Sequence, residues 1–189
     1  GVTQAVVNIS GARAHDWEDV CSFQIDGQSW LLIGDVGDNT VRRGKGLPGC
    51  RLYLIKEPVI PRSNGLPTIS WQVSATIDFQ YDHGPANCEG VAVDVERQEI
   101  LLLTKTLAQC GLYQLPLDLR QPRQQLTARR IATAFFPAVT ALDISPDSRT
   151  MAIGTMFDGL VVRRTVDQTW AEALDGRGTV VPLPPRKQG

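Results

Sequence analysis

The sequence predicts an all-β fold, a β-propeller of four-stranded antiparallel blades, with about three blades in the chain. Three observations predict it. One strand pattern is written three times, beginning near Trp17, Cys88 and Ala141. Turn-forming residues separate the apolar runs at matching places. Helical periodicity is nearly absent, with Trp170 to Leu174 the one stretch that reads as a helical turn.

The first copy runs through Val20-Cys21-Ser22-Phe23, the turn Asp26-Gly27, the apolar run Trp30-Leu31-Leu32-Ile33, a long loop, and Leu52-Tyr53-Leu54-Ile55. The second runs through Val91-Ala92-Val93, Glu96-Arg97, Ile100-Leu101-Leu102-Leu103, a short loop, and Leu112-Tyr113-Gln114-Leu115. The third runs through Leu142-Asp143-Ile144, the turn Pro146-Asp147-Ser148, Met151-Ala152-Ile153-Gly154, and Leu160-Val161-Val162. Glycine supplies φ > 0 and proline presets its own φ, so these turns read as hairpins between strands of a meander. A more polar, alternating fourth strand closes each copy, at 68–79, 125–135 and about 179–183. Alternation suits a strand with one wet face, and continuous apolar runs suit strands covered on both.

Four-stranded units in series are propeller blades, of which a ring takes about 4–8. The blades fall at roughly 17–79, 88–136 and 140–184, and 4–9 reads as the outer strand of a preceding blade. Three blades do not close a ring. The chain therefore reads as one propeller region of a longer ring, or of one completed by blades from another chain. A structural segment of a larger multidomain protein is a further reading.

Composition excludes some classes. With 189 residues and a formal net charge of -1, the chain carries no electrostatic footprint for nucleic acid. No apolar stretch approaches the ~18 residues of a membrane helix. No leader is recognisable and the first residue is not Met, so mature and trimmed forms both stay open. Of four cysteines, Cys21 lies inside an apolar run and reads as a buried thiol. Cys50, Cys88 and Cys110 lie at loop–strand junctions. They read either as three unpaired thiols or, in an exported protein, as holding one disulfide, with Cys88–Cys110 the favoured pairing. Nothing has CxxC metal-site spacing.

Strand direction alternates in a meander, so loops entering the first strand and loops joining the second and third emerge on one face. The first set carries His15, Asp16, Trp17, Glu18 and Asp19, then His83, Asn87 and Glu89. The second carries Asp35, Asp38 and Asn39, then Lys105, then Asp158. One acidic rim results. Glu18 and Glu89 each stand two residues before an apolar run, so successive blades aim them at one axis. Two converging carboxylates call for a cation or a shared proton. Glu18 and Glu89, with Asn87 or Asp35, are thus candidate ligands for Ca²⁺ or a cationic ligand. The alternative, which the residues favour somewhat, is that they accept hydrogen bonds from strand-end amides and tie blades together. Asp38 and Asn39 read as turn residues, and Asp35 as an ion-pair partner of Lys105 across blades. Asp35, His15 and His83 are the candidate general bases. Asp16, Trp17, Asp38, Asn39 and Lys105 complete the ligand rim. Arg42, Arg43 and Lys45 read as a solvated loop cluster. Ser145 and Ser148 fall on the opposite face and take no catalytic role.

Ser145-Pro146-Asp147-Ser148 with Met151-Ala152-Ile153-Gly154 resembles the turn and second strand of bacterial YVTN- and NHL-type propeller repeats. Asn87-Cys88-Glu89-Gly90-Val91-Ala92-Val93-Asp94 resembles the first strand of phytase-like and gluconolactonase-like propellers. Asp16-Trp17-Glu18-Asp19 and Gly34-Asp35-Val36-Gly37-Asp38-Asn39 are similar to stretches of uncharacterised exported bacterial propellers. In the lactonase-like enzymes such a Glu, with Asn and Asp from other blades, binds a catalytic divalent metal. Glu18 and Glu89 match it locally, while blade three has Thr140 there and Asp143 faces away. The resemblance implies a periplasmic or secreted binding propeller with a small-molecule or protein ligand at the channel mouth. The alternative it implies is a metal-dependent hydrolase of the lactonase or phosphoesterase kind.

Overall fold

A computed structural model describes residues 2–43, 49–176 and 178–184. Lys45 and residues 185–189 lie outside the described residues. The chain opens with β1 (Val6–Ser10), then β2 (Trp17–Ile25), β3 (Gln28–Asp35), β4 (Cys50–Lys56), β5 (Thr68–Gln72) and β6 (Ala75–Tyr81). The middle holds β7 (Cys88–Asp94), β8 (Glu99–Thr104), β9 (Cys110–Pro116) and β10 (Arg123–Ala134). Then come β11 (Val139–Ile144), β12 (Thr150–Thr155), β13 (Asp158–Arg163), α1 (Trp170–Asp175) and β14 (Thr179–Pro182).

Pairing follows the repeat. Blade one is β2-β3-β4-β6, blade two β7-β8-β9-β10, and blade three β11-β12-β13-β14. The chain is a propeller of four-stranded antiparallel blades. The outer strands β6 and β10 pair in parallel, from Thr76 opposite Arg123 to Tyr81 opposite Ala128. That link joins blades one and two into one eight-stranded sheet. The sheet curls until its two ends, β2 and β7, pack side by side, like a nearly closed barrel.

The stretch 68–79 forms two strands, not one. Val73 N donates to Ser10 O, and the next amide, Ser74 N, donates to Leu54 O. At that point the backbone leaves β1 and joins β4. β5 pairs in parallel with β1, and the pair covers the outer face of blade one, where Ile9, Trp71 and Val73 pack on Ile33, Tyr53 and Ile55.

Two further cores lie between blades. Phe23, Leu32, Leu52 and Ile77 of blade one meet Val91, Ile100, Leu102 and Leu115 of blade two. Leu101, Leu103 and Leu112 on the other side of blade two meet Leu142, Met151, Ile153 and Val162 of blade three. Blade two is covered on both faces, and every residue of β7 and β8 is buried. Blade three turns Asp143 and Ala152 outward, so β11 and β12 alternate. Asp26 (φ 50°) and Gly27 (φ 75°) turn the first hairpin through left-handed backbone.

Blades two and three approach closely at Gly90. A Cβ there would lie 2.7 Å from Leu142 Cβ and 3.1 Å from Leu142 N. Gly90→Ala is expected to cost about 1–3 kcal/mol through overpacking against a backbone that cannot yield. Urea denaturation checks this, and a cost below about 0.5 kcal/mol would contradict it. Among the described residues no helix is long and apolar enough to cross a membrane.

Candidate functional site: an acidic mouth

Each innermost strand carries a β-bulge at the same place. Register skips a residue between Trp17 and Asp19, between Cys88 and Gly90, and between Val139 and Ala141. The skipped residues are Glu18, Glu89 and Thr140. A bulge re-aims its side chain and is common beside functional sites. Three repeated bulges therefore present two carboxylates and a hydroxyl at equivalent positions of the mouth.

Around them the loops interlock. Asn87 Oδ1 accepts from Asp38 N at 2.6 Å, and Asn87 Nδ2 donates to Glu89 Oε1 at 3.1 Å and Asn39 Oδ1 at 3.2 Å. Lys105 Nζ lies 3.1 Å from Glu89 Oε2. Glu18 stands beside Asp16 and Glu89. Burial, then the charge of Glu89, then that of Asp16 push its carboxyl up to about 7, while Lys105 pulls the other way. The loop backbone makes room only because residue 37 is glycine: a Cβ there would overlap Glu18 Oε1 and the Asp16 carboxylate.

The mouth thus gathers Asp16, Glu18, Asn87, Glu89, Asn39 and Lys105. Asp35 belongs elsewhere. Its partner is Arg43, at 2.6 Å in a buried ion pair, not Lys105. Its carboxylate also accepts His15 N at 3.2 Å and Asp16 N at 3.0 Å. Asp35 is therefore a brace that positions the loop before Glu18, rather than a free base or ligand. Asp38 accepts Arg42 N and Arg43 N at 2.7 and 2.8 Å, the backbone-binding turn role its type suggests. Arg43 is no solvated loop cation. It is buried and also donates to Gly37 O and Gly49 O.

His83 does not reach the mouth. Its Nδ1 lies 2.5 Å from Asp82 Oδ1, and Asp82 accepts Arg130 N on the outer strand β10. His15 is exposed on the loop that Asp35 braces. Trp17 begins β2 at the mouth end, but its ring lies 6.1 Å from that of Tyr53, on the outer face of blade one. Cys88 and Cys110 are not bonded: Cys88 Sγ donates to Gly90 O, and Cys110 Sγ to Ala134 O, each in a different interblade core. All four cysteines are free and buried. Burial lifts the Cys50 thiol to about 11 and the Cys88 thiol to about 12, which makes them unreactive.

Sequence reasoning missed Asp19 as an individual residue. Its Oδ2 accepts Val91 N at 2.9 Å and Leu142 N at 3.1 Å, tying the innermost strands of all three blades. The available signal was a carboxylate where the other blades have Gly90 and Ala141.

Among the described residues no three His, Cys, Asp or Glu side chains are grouped to hold a metal ion. Both oxygens of Asp35 and the amide oxygen of Asn87 already accept hydrogen bonds. Glu18, Glu89, Asn87 and Asp35 are thus not gathered as one cluster: Asp35 is engaged by Arg43, while Glu18, Glu89 and Asn87 remain at the mouth.

No family model matches the chain, and no curated protein matches it. Solved structures similar to the chain include two that match most of its length. One is the propeller of Dos1, with TM-score 0.40 and 9% identity over 89% of this chain and 35% of that one. The other is the periplasmic gluconolactonase PpgL of Pseudomonas aeruginosa, with TM-score 0.45 and 14% identity over 86% of this chain and 44% of that one. This chain spans less than half of either. Strand pairing by itself defines the blades.

Proposed function

We propose that this propeller region is a binding module whose acidic mouth receives a cationic group of a small-molecule or protein ligand. The observation that carries the reading is a charge imbalance: Asp16, Glu18 and Glu89 share the mouth, and the one ammonium beside them among the described residues, Lys105, is paired with Glu89. Burial raises Glu18 most, and the charges of Glu89 and Asp16 add to it; that added repulsion, which an incoming cation would relieve, supports the reading. The carboxylates are not drawn in to one coordination point, which favours an ammonium or guanidinium over a bare ion. Ca²⁺ asks for six to eight oxygens and is the competing occupant. Export to the periplasm or beyond accompanies this reading through the resemblance of the sequence motifs.

The pH dependence follows. A carboxyl raised from 4.5 to about 7 on folding contributes stability below pH 4.5 that is lost as pH rises through 7. A cation that binds ionised Glu18 reverses that loss. N-acetyl-lysine amide is expected to shift the Asn87 and Lys105 amide resonances at pH 8, with much weaker effect at pH 5. Glu18→Gln is expected to abolish the response. No shift at pH 8, or the same shift in Glu18→Gln, would overturn the reading. A response to Ca²⁺ but not to the amine would replace the organic cation with the metal ion.

A further inference from the structure

We propose that the rim around this mouth is a docking surface for a protein segment that presents a lysine or arginine between apolar side chains. The inference rests on the cation reading of the mouth and adds what carries the cation. Every exposed aromatic residue among the described residues stands at the mouth end of its blade: Trp17, Phe135 and Phe157, exposed by 39, 74 and 66%. Leu107 at 91% and Met156 at 46% lie on the same loops. Trp17 opens blade one, and Leu107 lies in the loop between β8 and β9. Phe135 follows β10, and Met156-Phe157 joins β12 to β13.

The loops are one continuous surface. Asn87 O accepts Lys105 N at 2.8 Å, Thr106 O accepts Ala138 N at 2.9 Å, and Ala138 O accepts Met156 N at 2.9 Å. Exposed apolar side chains therefore share one face of the propeller with the acidic mouth. Isolated exposed apolar residues are normal, but exposed aromatics confined to one face mark an interaction surface. A free amine or small cation would leave these side chains in water. A polypeptide covers them while its basic side chain meets Glu18, the pattern of an anchored interface with buried aromatics and a charge. A lipid surface fits less well, because docking there would press the uncompensated carboxylates against headgroups.

Two capped peptides test it by titration calorimetry at pH 8: acetyl-Phe-Leu-Lys-Phe-Leu-amide and acetyl-Gly-Ser-Lys-Ser-Gly-amide. The apolar peptide is expected to bind at least about tenfold tighter, the equivalent of about 1.4 kcal/mol. Leu107→Ser with Phe157→Ser, both surface changes, is expected to erase that margin and leave the Gly-Ser peptide unaffected. Glu18→Gln is expected to weaken both. Equal affinity for the two peptides, or an unchanged margin in the double variant, overturns the docking surface while the cation reading survives. Failure of both peptides to bind overturns both. Binding to phosphatidylcholine–phosphatidylserine vesicles that the double variant loses would assign the rim to a membrane and overturn the proposal.

Discussion

Replacing Asp94 by alanine is expected to cost about 3–5 kcal/mol of folding stability, because it strands a buried guanidinium. The Asp94 and Arg164 side chains are fully buried, 2.8 Å apart. Asp94 Oδ2 also accepts Trp170 Nε1 at 2.7 Å, and Oδ1 accepts Arg97 N at 3.1 Å. Arg164 lies over the Trp170 ring, 4.6 Å from its centroid, and donates to Ser148 O. One carboxylate thus holds the end of blade two, the exit of β13 and the helix α1. Thr169 and Glu172 cap α1 reciprocally, so the helix is fixed where Trp170 must enter. Glu96, 3.0 Å from Arg164 but largely in water, compensates only partly. Urea denaturation measures the cost. Asp94→Leu with Arg164→Met removes both charges and is expected to recover much of it. A loss under about 1 kcal/mol in Asp94→Ala would show that water reaches Arg164.

The strands were legible because they obey local rules. Two-sided burial writes continuous apolar runs such as Ile100-Leu101-Leu102-Leu103, and Asp26-Gly27 writes a turn with positive φ. The split between β5 and β6 was not legible. Alternation runs unbroken through Val73 and Ser74, and only the change of hydrogen-bonding partner from β1 to β4 divides them. Such a switch depends on a strand some sixty residues earlier and leaves no local mark.

The mouth was half legible for the same reason. Repeat position put Glu18 and Glu89 together, since equivalent places in successive blades converge. Charge pairing obeyed no repeat. Asp35 took Arg43 from its own loop, and Lys105 took Glu89 within its own blade. Both pairs are set by loop conformation and reach, which the strand pattern does not encode. The Cys88–Cys110 pairing failed because the two thiols enter cores on opposite faces of blade two. Their junction positions alone carried no sign of which face each would take.

Asp19→Ala is expected to be the second most damaging change, costing about 2–4 kcal/mol. It deletes two charge-assisted bonds between blades, each worth about 1.5–3 kcal/mol at full strength and less at this half-buried place. Val91 N and Leu142 N lose their shared acceptor, while Val20 N, 2.9 Å from Oδ1, loses a local one. Burial outweighs these bonds and holds the Asp19 carboxyl up at about 6, above its usual 3.8. A raised folded value means that this group favours folding below pH 3.8 and loses that contribution as pH passes through 6. Asp19→Asn keeps an acceptor without the charge. It should therefore cost little at pH 5 and narrow further, or turn favourable, at pH 8. Hydrogen exchange at Val91 and Leu142 separates this account from a general loss of packing. The alanine variant should expose those two amides selectively, and the asparagine variant should leave them protected. Equal protection in wild type and Asp19→Ala would mean that the inner strands are held by side-chain packing, with the carboxylate a bystander to the joint between blades.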